Sequence, residues 1–260
     1  MSSLQRGFGY IPQLETPELI DDHGIDNDKL LSHAKGVEPT YPVDGDHGWN
    51  PIKNQGSLGS CVGASLSALA TVLHAQNTGH LEDFSIACGY YQSQRIAGIR
   101  GDKGSTISAA QKLITGDGIC LESDWKYTGR YSNRVPSGFD QFPKVKLLAS
   151  KTINDVDLIF EFLRAGACIH VGLGWNRSCE LNKCTRYTRG SGGGHAVYLY
   201  GLDKENPKYA KMFNSWSRNF GLDGMVYWKD SFLSGVLKDS WSTFVAYSVG
   251  EFEADKGIFE

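Results

Sequence analysis

The apolar residues of this 260-residue chain change period at Gly166, and that change constrains its fold more than any other feature. Before it the pattern is helical. In residues 61–76, Val62, Leu66, Leu69, Val72 and Leu73 form the stripe of an amphipathic helix, which predicts one buried side. Further helical patterns cover 85–95, 106–114 and 154–164. The second of these is halted by Gly116-Asp117-Gly118, and the third carries Asp155 and Asp157 where the helix dipole favours negative charge. Beyond Gly166, the runs 167–173, 195–202, 209–214, 224–229 and 243–249 are rich in Val, Ile, Tyr and Phe between Gly and Asn clusters, and read as strands. Helices first and strands second predict an α+β chain with a helical lobe and a sheet lobe, not an alternating parallel-sheet fold.

Charge and composition exclude several classes of function. With 26 Lys and Arg against 29 Asp and Glu, and no long run of one sign, the chain has no electrostatic footprint for nucleic acid or an anionic membrane. A 40% hydrophobic share with 31 glycines and 8 prolines describes a turn-rich globular chain, not a disordered one. Residues 1–9 hold no apolar stretch of signal-peptide length and no window approaches a membrane span, so a cytoplasmic or virion-associated protein is expected rather than a classically secreted one. Residues 13–50 are polar, acidic and rich in Gly, Pro, Asp and His, with a weak helical patch at 26–34, and read as a lead-in to a folded body starting near Pro51.

The chemistry is concentrated around Cys61. Asn54-Gln55-Gly56-Ser57-Leu58-Gly59-Ser60-Cys61 places a cysteine where a Gly-containing loop becomes the first turn of the long helix. Unsatisfied N–H groups and the helix dipole there favour a thiolate, which predicts a pKa below the ordinary value of about 8.5. The same N–H groups can hold an oxyanion, and the side-chain amide of Gln55 can supply a second donor. A hydrolytic thiolate needs a group that protonates the leaving amine and later activates water. His195 is the candidate, at the opening of an apolar strand after Gly192-Gly193-Gly194. Asn214, in Phe213-Asn214-Ser215-Trp216, can accept the His195 N–H and orient the ring. Taken singly, Cys61 could be an inert buried thiol, His195 a strand histidine and Asn214 a turn residue.

The Cys61, His195, Asn214 order, with separations of 134 and 153 positions from Cys61, resembles the papain-like cysteine peptidases. Gln55-Gly56 resembles that family's oxyanion-hole glutamine, Gly194-His195-Ala196-Val197 its histidine strand, and Asn214-Ser215-Trp216 with Phe220-Gly221 its asparagine block. Gly101-Asp102-Lys103-Gly104-Ser105 resembles the glycine segment that pairs with an extended substrate. The resemblance implies a two-lobed fold, a helical lobe followed by an antiparallel β-sheet or barrel lobe, with the site in the cleft between them. It implies an N-terminal extension at 1–40, a peptidase domain at 41–250 (helical lobe about 51–130, β lobe about 131–250) and a tail at 251–260. Gly59, Gly104, Ser105, Gly194, Ala196 and Trp216 would line the substrate cleft, and the pocket for the main specificity side chain would be apolar, near Ser105, Thr106 and Ala196.

Leu58 stands where secreted eukaryotic members have a disulfide-forming cysteine, Val62 replaces the aromatic after the nucleophile, and Phe220 replaces a second tryptophan. Together with Ser57-Leu58-Gly59-Ser60-Cys61 and the opening Arg6-Gly7-Phe8-Gly9-Tyr10-Ile11-Pro12, these departures look like the bacterial and phage-type members that lack a long helical propeptide. The resemblance implies a cysteine endopeptidase acting on peptides or proteins without a cofactor. Two other readings keep the same residues: a structural component of an assembly such as a viral particle, with the extension as a docking arm, or a peptide ligase using the same acyl-enzyme.

Of the remaining candidates, His170 reads as a structural strand histidine, His74 as a helix-face residue and His80 as a loop residue. Cys168, Cys179 and Cys184 have no histidine at metal-ligand spacing, so no metal site is expected. Cys179 and Cys184 could close a small disulfide or stay free. Trp216 and Phe220 would shield the His195–Asn214 pair from water.

Overall fold

The computed structural model describes residues 7–12, 51–132, 134–147, 149–188, 192–239 and 242–248. The expected helical patch at 26–34 and the tail at 251–260 lie outside the described residues. Helices α1 (Cys61–Thr78), α2 (Ile86–Ile96) and α3 (Ile107–Thr115) come first. A two-residue ladder of β1 (Ile119–Cys120) with β2 (Lys144–Val145) follows. Then come β3 (Ala149–Thr152), α4 (Val156–Arg164), β4 (Cys168–Gly174), β5 (Lys183–Cys184), β6 (Gly194–Leu202), β7 (Tyr209–Phe213), β8 (Met225–Lys229), α5 (Asp230–Leu237) and β9 (Thr243–Ser248). Seven strands form one sheet in the order β3-β9-β4-β6-β7-β8-β5, antiparallel except where β5 meets β8.

The segregation of helices and strands is as the apolar period predicts. Helix α1 is not. It is buried on every side from Cys61 to Gln76, because it is wedged between α2 and α3 on one side and strands β4 and β6 on the other. Its non-stripe positions can be buried because they are small and internally satisfied. The hydroxyls of Ser65, Ser67 and Thr71 donate to the carbonyls of Cys61 (2.8 Å), Ala64 (3.1 Å) and Ser67 (2.9 Å). His74, expected on a helix face, lies in α1 and is buried with its ring edge-on to Phe84 at 5.4 Å.

The sheet is buried on both faces, with the two-residue alternation of a strand deciding which side chain goes where. Along β6, Ala196, Tyr198 and Tyr200 join the core made with α1 to α3, while Val197 and Leu199 join the core made with α4 and α5. Each large apolar side chain so buried contributes about 1.5–3 kcal/mol. This sheet carries His195 in β6 and Asn214 immediately after β7, next to Cys61 at the start of α1.

Candidate active site

The loop before α1 is pinned from several directions. The Gln55 N–H donates to the Ser215 carbonyl (2.9 Å), tying the loop to the sheet lobe. Tyr127 donates its hydroxyl to the Gln55 carbonyl (2.7 Å) and meets Ser60 Oγ at 2.7 Å, while Asp102 accepts from the Gly59 N–H (2.9 Å) and the Tyr90 hydroxyl (2.7 Å). Ser60 is the N-cap residue of α1 but makes no side-chain cap bond. The first-turn N–H groups of the helix are therefore left for the cleft.

His195 Nε2 lies 2.8 Å from Asn214 Oδ1. That oxygen also accepts the backbone N–H of Ser215 (2.8 Å), which fixes the orientation of the amide. An amide oxygen only accepts, so the His195 proton sits on Nε2 and Nδ1 is the basic nitrogen. Trp216 stacks on the ring at 4.5 Å and 26°, Trp175 meets it edge-on at 4.7 Å, and Phe220 stands behind both tryptophans at 5.6 and 6.2 Å. The thiol of Cys61, wholly buried, receives the backbone N–H of Ala196, the residue after His195.

Residues 7–12 run through the cleft above these groups. Ser105 N–H donates to the Gly9 carbonyl (2.7 Å), Ile11 N–H donates to the Ser105 carbonyl (2.8 Å), and Tyr10 N–H donates to the Gly194 carbonyl (3.0 Å). The pairing with Ser105 is parallel. The Gly7 carbonyl accepts from Gln55 Nε2 at 3.1 Å, and Phe8 packs edge-on against His195 and Trp216 at 5.9 Å. The fit is backbone to backbone: a Cβ on Gly104 would lie 1.9 Å from the Gly9 oxygen, and one on Gly9 would lie 1.8 Å from the Gly59 oxygen. The six residues that the resemblance assigns to the substrate cleft, Gly59, Gly104, Ser105, Gly194, Ala196 and Trp216, thus all border the path of this segment or the thiol beneath it.

The thiol departs from expectation. Burial pushes Cys61 up to about 11, although N–H groups of Ala196, Gly9, Val62 and Cys61 itself pull the other way. The helix N-terminus acts as predicted, but the loss of water on burial outweighs it.

Ser215, which sequence reading passed over, connects two of the candidates. It fixes Asn214 through its N–H and donates its hydroxyl to Gln55 Oε1 at 2.5 Å, which leaves Gln55 Nε2 facing the cleft. Trp175 was also missed; it lies just beyond β4, and only the strand pairing brings it to His195. All six cysteines are free, and Cys184 donates to the Leu181 carbonyl at 3.0 Å rather than bonding Cys179. His170 lies in the core with its Nε2 at 2.6 Å from Ser65 Oγ. Among the described residues no group of three or more His, Cys, Asp or Glu side chains is placed to hold a metal ion.

A family model described as "Papain family cysteine protease" matches residues 44–236. The chain belongs to the papain family of cysteine proteases. Among curated members, cysteine proteinase 15A of Pisum sativum is 27% identical over 228 residues, covering 75% of this chain and 61% of the pea protein. The chain therefore spans about three-fifths of the length of the curated papain-family relatives it matches. The papain-like fold is shared with xylellain, a cysteine protease from Xylella fastidiosa, with a TM-score of 0.73 at 21% identity over 96% of this chain and 99% of that one. A cysteine protease from Carica candamarcensis in complex with E-64 aligns with a TM-score of 0.62 at 21% identity, over 78% of this chain and 94% of its own.

Proposed function

We propose that this papain-family chain is a cysteine endopeptidase that works through Cys61, His195 and Asn214, with Gln55 as an oxyanion donor. The carrying observation is that the Cys61 thiol sits against the backbone of the residue next to His195, whose Nε2–H is held on Asn214. In the proposed reaction Nδ1 takes the thiol proton and the sulfur attacks the peptide carbonyl. The developing oxyanion receives N–H bonds from Gln55 Nε2 and the Cys61 backbone. The C–N bond breaks as His195 returns the proton to the leaving amine, giving a thioester. Water then loses a proton to Nδ1, attacks the thioester, and frees the carboxylate and the thiol. Asn214 holds the ring throughout, and Trp216, Trp175 and Phe220 keep the His195–Asn214 hydrogen bond dry.

Residues 7–12 make the described state a latent one. Their backbone occupies the cleft between Ser105 and Gly194 that an extended substrate would need, with the Gly9 N–H close to the thiol. Activity requires its displacement. The bacterial-type affinity of the Ser57-Leu58-Gly59-Ser60-Cys61 loop is supported by the end-to-end similarity to the Xylella fastidiosa fold. The test is Cys61→Ala in the full chain: hydrolysis of a protein substrate and labelling by an epoxysuccinyl inhibitor are expected to vanish together, and hydrolysis that survives overturns the reading.

A further inference from the structure

A tyrosine of the covering segment fills a pocket in the sheet lobe. Tyr10 is held between two backbone walls, its N–H on the Gly194 carbonyl and its neighbours on Ser105, so its side chain has to point down into the protein. It is 4% exposed there. The pocket lies in a single cross-strand row of the sheet, because the register pairs Thr243 of β9 with Gly172 of β4 and Gly172 with Ala196 of β6. The middle member of that row has no side chain. A Cβ on Gly172 would lie 2.5 Å from both Cε2 and Cζ of Tyr10, so the ring occupies the space that any other residue at 172 would fill. A glycine inside a buried strand weakens the strand, and a close approach by another group is the usual reason for one. At the far end of the ring the phenol oxygen lies 3.1 Å from Thr243 Oγ1. Burial pushes the Tyr10 hydroxyl up to about 12, with Asp239 adding to the rise, so the phenol keeps its proton and can donate.

The row includes Ala196, beside which the family resemblance already sets the main specificity pocket; we propose that Gly172 and Thr243 make this pocket select tyrosine. The inference rests on the peptidase reading and names the side chain that the peptidase accepts. Gly172 admits a six-membered ring, and Thr243 distinguishes a ring bearing a hydroxyl from one without. The nearby Asp239 carboxylate, which accepts the Tyr187 hydroxyl at 2.7 Å, disfavours an acidic side chain. Reversal of chain direction does not change this. Ser105 offers one N–H and one C=O, which an added strand can meet running either way, and the pleat still directs the side chain opposite Ser105 into the same pocket. Tyr10 is then a substrate-like side chain carried on a segment of parallel polarity.

The test is digestion of a mixed peptide library by the full chain and by its Gly9→Val form, in which the covering segment cannot lie flat, with the cut sites mapped by mass spectrometry. The expected result is enrichment of tyrosine at one fixed position within two residues of the cut, about three- to tenfold over phenylalanine, the ratio that one neutral hydrogen bond supports. Thr243→Val, introduced alongside Gly9→Val, should bring tyrosine and phenylalanine within twofold of each other, while Thr243→Ser should keep the difference. Gly172→Val should shift the preferred residue to small side chains. Where Gly172→Val does not fold, as read by its thermal melt, the Thr243 pair decides alone. Cuts without tyrosine enrichment, or enrichment unchanged by Thr243→Val, overturn the pocket assignment and leave the peptidase reading standing. No cuts by any form, at any peptide, overturn both.

Discussion

Ser215 sits between two side chains that have to be oriented at once. Its N–H and its hydroxyl hold Asn214 Oδ1 and Gln55 Oε1, so one residue positions both the partner of His195 and the proposed oxyanion donor. The backbone bond survives substitution and the hydroxyl bond does not. Ser215→Ala is therefore expected to free only Gln55, lowering kcat about 10- to 100-fold with KM within threefold. Gln55→Ala should cost the larger penalty of about 10²- to 10³-fold typical of a lost oxyanion donor. The double variant should be no worse than Gln55→Ala alone, since Ser215 acts through Gln55. Steady-state kinetics on the four proteins check this, and additive losses would show that Ser215 acts independently.

Residues 7–12 pose the question at the level of a structural element. They are held by backbone contacts that need glycine at positions 7 and 9, where a Cβ would lie 2.0 Å from the Leu58 oxygen and 1.8 Å from the Gly59 oxygen. Gly9→Val is expected to lift the segment and to raise both peptide hydrolysis and the alkylation rate of Cys61 at pH 7 by tenfold or more. The pH dependence follows from the thiol. Its value in the covered state, about 11, lies above the ordinary thiol value because burial disfavours the thiolate. A raised value means that the covered state binds the proton more tightly than the open one. Closure is thus at full strength below about pH 9 and is lost as pH rises through about 11. Iodoacetamide labelling of the full chain against pH should climb across that window, and Gly9→Val should move the midpoint down. An unchanged midpoint would mean that the segment does not set the thiol's environment.

On the scale of the whole molecule, the junction between α1 and the sheet depends on neutral buried histidines. His170 lies wholly buried between Ser65 of α1 and Tyr247 of β9, and burial alone pushes it down to about 3; His74, inside α1, is pushed down to about 4, by burial first and then by His80. A lowered value means that the unfolded chain takes up protons which the folded chain refuses. The associated stability is present above about pH 6.5 and is lost as pH falls toward 3, at about 1.4 kcal/mol per pH unit for each histidine. Urea midpoints measured from pH 7 to 4 should fall accordingly, and His170→Leu should flatten the slope by about one proton. A slope unaffected by that change would place the acid sensitivity elsewhere.

The order of helices and strands, and the candidate site residues Cys61, His195, Asn214 and Gln55, are legible in the sequence because periodicity and local motif are properties of neighbours along the chain. The two-residue strands β1, β2 and β5 and the eight-residue α5 are too short to show a period, and the edge strand β3 was missed as well. What only the tertiary structure decided concerns residues far apart in sequence. Trp175 comes to His195, Ser215 to Gln55, and Gly172 to Tyr10 through strand register and lobe contact, for which one chain's local pattern holds no signal. The Cys61 thiol shows the division most plainly. Sequence places it at a helix N-terminus, where the dipole lowers its pKa, whereas the fold covers it with a segment some fifty residues away along the chain. Removing water costs the thiolate more than the helix returns, so the covered thiol keeps its proton.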